Sequence, residues 1–161
     1  MSNYWLIKSE PSSFSIDDLK SLPNKTDMWD GVRNYQARNI MMKEMKTGDK
    51  AFFYHSNAKP PGIVGIVEIV TKEAYADPTQ FDKKSKYYDP QSDINNPRWW
   101  LVDVKHVQDL PFISLEAIKA NSRLKNMKLV QKGSRLSVQP VTKEEWGEIL
   151  NMAQVNAQHQ Q

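Results

Sequence analysis

The chain has 161 residues, no cysteine, three histidines and a net charge of +3, a length that supports one domain with a sizeable core. Disulfides, thiolate zinc sites and cysteine nucleophiles are excluded, and no apolar run nears the ~20 residues needed to span a bilayer, so no membrane partner is expected. The charge is mild overall but unevenly spread: no acidic residue lies between Glu116 and Glu144, where Lys119, Arg123, Lys125, Lys128 and Lys132 make a candidate phosphate contact.

Tyr4 to Lys8 reads as a first strand, aromatic and β-branched, stopped by Ser9-Glu10-Pro11. Ser15 with Asp18 starts a short helix that Pro23 ends, and Lys25 to Asp27 reads as a loop. Next comes Trp29-Asp30-Gly31-Val32-Arg33-Asn34-Tyr35-Gln36-Ala37-Arg38-Asn39, too polar for a core element and too aromatic for an ordinary loop. Such a mixture suits a flat, hydrogen-bonding ligand, because an indole stacks, an amide both donates and accepts, and a guanidinium forks onto oxygens. The same residues also allow Trp29 as a core anchor and Asn34 as a helix N-cap.

Helical spacing runs from Tyr35 to Met45, and Lys50 to His55 and Ile63 to Val70 read as strands, with Gly65 marking a bulge or a close approach. Residues 74–97 are irregular, a long insertion that is functional or mobile. Arg98 to Val107 resumes as a strand, Ser114 caps a helix through Ala120, and Leu136 to Val141 is a last strand. Thr142 and Glu145 box the start of a final helix through Met152. The expected organisation is one domain over 1–153 and a disordered polar tail over 154–161. Strands and helices without regular alternation indicate a mixed α+β domain on a curled or barrel-like sheet.

Chemistry is sparse. His55, His106 and His159 are far apart and give no metal signature. Glu10 and Asp30 are the carboxylates available to an enzyme, but nothing beyond their position at element ends recommends them, and no catalysis is expected. Binding groups are better supplied: Trp29, Tyr54 and Trp99 or Trp100 for stacking, Ser9, Asn34, Ser56 and Ser137 for neutral hydrogen bonds, Arg33 and Arg135 for charge.

The blocks Tyr4 to Pro11, Trp29 to Asn39, Phe53 to Asn57, Gly62 to Gly65 and Arg135 to Val141, in that order, closely resemble the EVE domain family. That resemblance implies a PUA-like fold, a small curled β-barrel flanked by helices. It also implies a cofactor-free reader of a modified base, of the 5-methylcytosine or 5-hydroxymethylcytosine type, in DNA or RNA. Carried over residue by residue, the pocket draws on Ser9, Trp29, Arg33, Asn34, Tyr54, His55, Ser56, Arg135 and Ser137, with Trp99 added. The alternatives are a binder of a free nucleotide or similar metabolite, and an enzyme acting on a base or nucleotide. A bacterial cytoplasmic location is expected from the absence of a targeting signal, and oligomeric state is left open.

Overall fold

The computed structural model of the chain describes residues 3–159. β1 (Tyr4–Ser9) leads into α1 (Ile16–Lys20), whose capping box pairs Ser15 with Asp18. β2 (Thr26–Met28) forms where a loop was expected. Its three residues have no apolar alternation, and they become a strand only by pairing with Asp103 to Lys105 far along the chain. α2 (Tyr35–Asn39) starts at the Asn34 cap and runs into a π-helical turn over Ile40–Glu44.

β3 (Lys50–His55) and β4 (Gly62–Ile69) pair antiparallel. β5 (Tyr75–Ala76) and β6 (Trp100–Leu101) form a two-stranded ribbon that brackets the irregular insertion. The strand expected from Arg98 breaks at Val102, and β7 (Asp103–Ser114) carries it further than the sequence indicates. Ser114 then caps α3 (Leu115–Ala120), as expected. β8 (Val138–Val141) precedes α4 (Lys143–His159), and the Thr142–Glu145 box is formed in both directions.

The tail expectation fails over residues 154–159, where α4 continues. Gln and Ala propagate a helix once it has begun, and the Asn156 side chain donates to the Phe112 carbonyl at 3.0 Å. Residues 160 and 161 lie outside the described range.

The main sheet has six strands in the order β2-β7-β4-β3-β1-β8, with β1 and β3 parallel and the other pairs antiparallel. Register shifts at Phe53/Tyr54, Ile63/Gly65 and Ile66/Val67 help it curl into a half-barrel. Gly65 serves both expected purposes: it sits at a shift, and a Cβ there would collide with Ile16 Cδ1 and lie 2.8 Å from the Gln108 carbonyl.

Alternation buries both faces. Trp5, Ile7 and Phe53 join Ile16, Leu19, Trp29 and Met41 on one side, while Leu6, Phe52 and Tyr54 join Ile118, Leu124 and Trp146 on the other. Helices α1 and α2 thus cover the first face, and α3 and α4 cover the second.

Candidate functional site

A cleft of about 940 Å³ opens where the end of β1, the chain after β2, the start of the β3–β4 loop and the run into β8 converge. Backbone bonds fix this convergence. Ser56 N–H donates to the Ser9 carbonyl at 2.9 Å, extending the parallel β1–β3 pair, and Lys8 N–H donates to the Ser137 carbonyl at 2.9 Å. Trp29 N–H donates to the Val102 carbonyl, also at 2.9 Å, and so prolongs β2 into the site. Three serines and one tryptophan that are distant in sequence thereby come together.

Trp29 is only 7% exposed and is wedged edge-on between Phe53 (5.5 Å) and Phe14 (6.4 Å). Trp5, Trp99 and Trp100 each donate the indole N–H to a protein oxygen. Trp29 and Trp146 have no such acceptor among the described residues, and of the two only Trp29 lines the cleft. The Ser9 hydroxyl donates to the Phe14 carbonyl at 2.6 Å and so retains only its accepting lone pairs.

Arg33 works differently from the free charge that its sequence context indicates. Its guanidinium donates to Asp77 Oδ2 (3.0 Å), Thr79 Oγ1 (3.1 Å) and the Tyr87 carbonyl (2.7 Å from Nη2). The same Asp77 oxygen accepts from Gly31 N–H at 2.9 Å. Burial pushes the Asp77 carboxyl up, but the bonds from Thr79, Gly31 and Arg33 outweigh it and hold the group below its ordinary value. Through this clasp the insertion is tied down as a wall of the cleft, with Lys86 and Tyr87 facing in. Gly31 adopts φ +79°, and a Cβ there would meet the Tyr87 ring at 2.5 Å, so both conformation and space require glycine.

The charge of the cleft is mixed. Lys8, Lys86 and Arg135 bring cations and Glu10, Asp27 and Asp30 bring carboxylates. Burial lowers the Lys8 ammonium's pKa, and burial raises those of Asp27 and Asp30.

Of the residues named from sequence, Ser9, Trp29, Arg33, Ser56, Arg135 and Ser137 line this cleft, while Asn34, Tyr54, His55 and Trp99 do not. Asn34 is the α2 N-cap, with Oδ1 accepting from Ala37 N–H at 2.9 Å. Tyr54 lies in the core on the opposite face of the sheet, because strand alternation sends it there with Phe52. His55 Nε2 accepts from Ile16 N–H at 3.1 Å, a structural bond that holds α1 to β3. Trp99 is buried, stacks on Tyr35 at 4.9 Å and donates to Asp89. Lys119, Arg123, Lys125, Lys128 and Lys132 are exposed but outside the cleft lining, and Arg123 faces Glu148 at 3.4 Å. Lys8, Phe14, Lys86 and Tyr87 line the cleft without having been singled out from sequence as ligand contacts. The irregular insertion was the one signal that pointed toward the last two.

Among the described residues no cluster of His, Cys, Asp and Glu is arranged to hold a metal, and no helix is long and apolar enough to cross a membrane.

A curled sheet whose strand ends frame such a cleft, in a mixed α+β domain, defines a PUA-like domain. Residues 3–152 match the EVE domain family, and the chain belongs to it. Mouse thymocyte nuclear protein 1 is 51% identical over 170 residues, covering 94% of this chain and 74% of the mouse protein. The crystal structure of the human THYN1 protein in complex with 5-methylcytosine-containing DNA superposes with a TM-score of 0.88 at 47% identity, over 94% of this chain and 98% of that one. A Leishmania major protein described as hypothetical superposes with a TM-score of 0.90 at 46% identity, over 100% and 98% of the two chains.

Proposed function

We propose that this chain is a non-enzymatic module that takes a modified cytosine of a DNA strand into the Trp29 cleft. The observation that carries this reading is the human relative's complex with 5-methylcytosine DNA, in a protein of the same fold and nearly half the same residues. The cleft is large enough for a nucleoside, and it offers an indole, uncharged hydrogen-bonding serines and cations within one opening. Burying one methyl contributes only ~0.8 kcal/mol. Selection of the modified base therefore needs the cleft's shape and hydrogen bonds besides the methyl contact.

Lys8, Lys86 and Arg135 line the cleft and are the cations proposed to meet the phosphates beside the bound base. The exposed Lys119, Arg123, Lys125, Lys128 and Lys132 add a more distant positive field. The non-enzymatic reading is supported by the engagement of His55 with the α1 backbone, which leaves the cleft without an imidazole base.

Tryptophan-fluorescence titration with matched oligonucleotides tests this. Tighter binding to 5-methylcytosine or 5-hydroxymethylcytosine DNA than to cytosine DNA is expected, weakening as salt rises and weakened further in Arg135→Ala. Equal affinity for the free nucleotide and the oligonucleotide, or indifference to salt, overturns the strand-binding part and makes the chain a nucleotide binder. RNA of the same sequence in parallel shows which polymer is preferred.

A further inference from the structure

Asp30 lies beside Trp29 in the cleft lining, yet among the described residues its carboxylate accepts no hydrogen bond from any other residue. Other carboxylates of this region are engaged. Asp77 accepts from Gly31, Arg33 and Thr79, Asp27 accepts from Met28 N–H at 2.9 Å, and Asp89 accepts from Trp99 at 2.7 Å. Burial, followed by the negative charge of Asp77, pushes the Asp30 carboxyl above its ordinary range; Asp27 adds to this and Arg33 opposes it. Arg33's donors are committed to the insertion, so it offers Asp30 charge at a distance and no clasp. The other charged groups of the cleft are Lys8 and Glu10 at the end of β1, Lys86 in the insertion and Arg135 before β8. A half-buried carboxyl on the cleft lining, held above its ordinary value and bonded to no residue but its own, keeps lone pairs free for a ligand.

Cytosine is such a ligand. Its Watson–Crick edge sets an amino donor (N4) beside a ring acceptor (N3), and a carboxylic acid sets a carbonyl acceptor beside a hydroxyl donor. We infer that Asp30 reads this edge of the bound base, accepting from the N4 amino group through one oxygen while the other shares a proton with N3. The inference rests on the proposed occupation of the cleft by a modified cytosine. It adds that the complex holds one proton between Asp30 and N3, taken from solvent wherever the free carboxyl is ionised. No covalent bond changes. Methylation at C5 leaves this edge untouched, so Asp30 selects the kind of base and the rest of the cleft selects its modification.

The test is a pH series of binding to 5-methylcytosine DNA by wild type, Asp30→Ala and Asp30→Asn, with thermal unfolding of each at the same pH values. A paired base edge is worth roughly ten- to a hundredfold in affinity. Asp30→Ala is expected to lose that much while staying folded, because it removes a carboxyl that burial disfavours. Wild-type affinity is expected to fall as pH rises above the raised Asp30 value, where the free carboxyl ionises and the complex must still hold the proton. Asp30→Asn presents an amide N–H to N3 and its carbonyl to N4 with no proton to lose, so it binds with a flat pH profile. Unchanged affinity in Asp30→Ala overturns the inference, as does a wild-type profile that matches that of Asp30→Asn. If wild type itself does not bind the methylated DNA, the occupation of the cleft fails and this inference falls with it. Selective binding that survives in Asp30→Ala removes only the role of Asp30.

Discussion

On the α3–α4 face of the sheet, Phe52 and Trp146 stack at 3.9 Å and Tyr4 covers the same indole at 4.5 Å, with apolar neighbours around them. On the α1–α2 face Phe53 meets Trp29 edge-on, and beyond Trp29 the packing gives way to the Arg33–Asp77 clasp and an open cleft. One face is held by dispersion and the removal of apolar area from water. The other holds its outermost layer by directional bonds that fix a shape without filling it. Adjacent residues of one strand, Phe52 and Phe53, thus point opposite ways, one into the closed face and the other into the core beneath the cleft.

Substitutions can pull the two faces apart. Phe52→Ala removes a fully buried ring and is expected to cost about 3–5 kcal/mol in urea unfolding, with the affinity of the remaining folded protein unchanged. A large affinity loss would show that the faces are coupled. Asp77→Ala leaves Arg33 without its carboxylate and Gly31 N–H without an acceptor. It is expected to cost about 2–3 kcal/mol and, because the wall carrying Tyr87 is released, to abolish selective binding. Since the folded Asp77 carboxyl sits below its ordinary value, its contribution is complete above about pH 4 and is lost as pH falls through the folded value. The acid limb of the stability profile should accordingly flatten in Asp77→Ala. Asn34→Ala removes the α2 cap and should cost about 1 kcal/mol in thermal unfolding while leaving affinity unchanged. A tenfold affinity loss would instead make Asn34 a ligand contact despite its cap bond.

What was legible in the sequence was local. Ser15 with Asp18, Ser114 and Thr142 with Glu145 announce helix starts through bonds to their own backbone, and each is found. Strand alternation was equally available for Tyr54, which shares a parity with Phe52 and so belongs on the face opposite Trp29. β2 was not legible, because Thr26-Asp27-Met28 owes its conformation to a partner more than seventy residues away. The cleft was legible as a set of residue types at strand ends. Its wall was not: Asp77 and Tyr87 lie in a stretch with no periodicity, and only folding shows that both answer to Arg33.

The pairing of β1 with both β3 and β8 gives the cleft a place in time. Ser9 arrives with the first strand, Trp29 and Ser56 follow, and Ser134, Arg135 and Ser137 come only with the approach to β8. On a ribosome, the half-barrel's hairpin and α1–α2 layer emerge while that side of the opening is still missing. The cleft is thus among the last parts of the molecule to be completed, and a nascent chain that ends before β8 lacks one side of it.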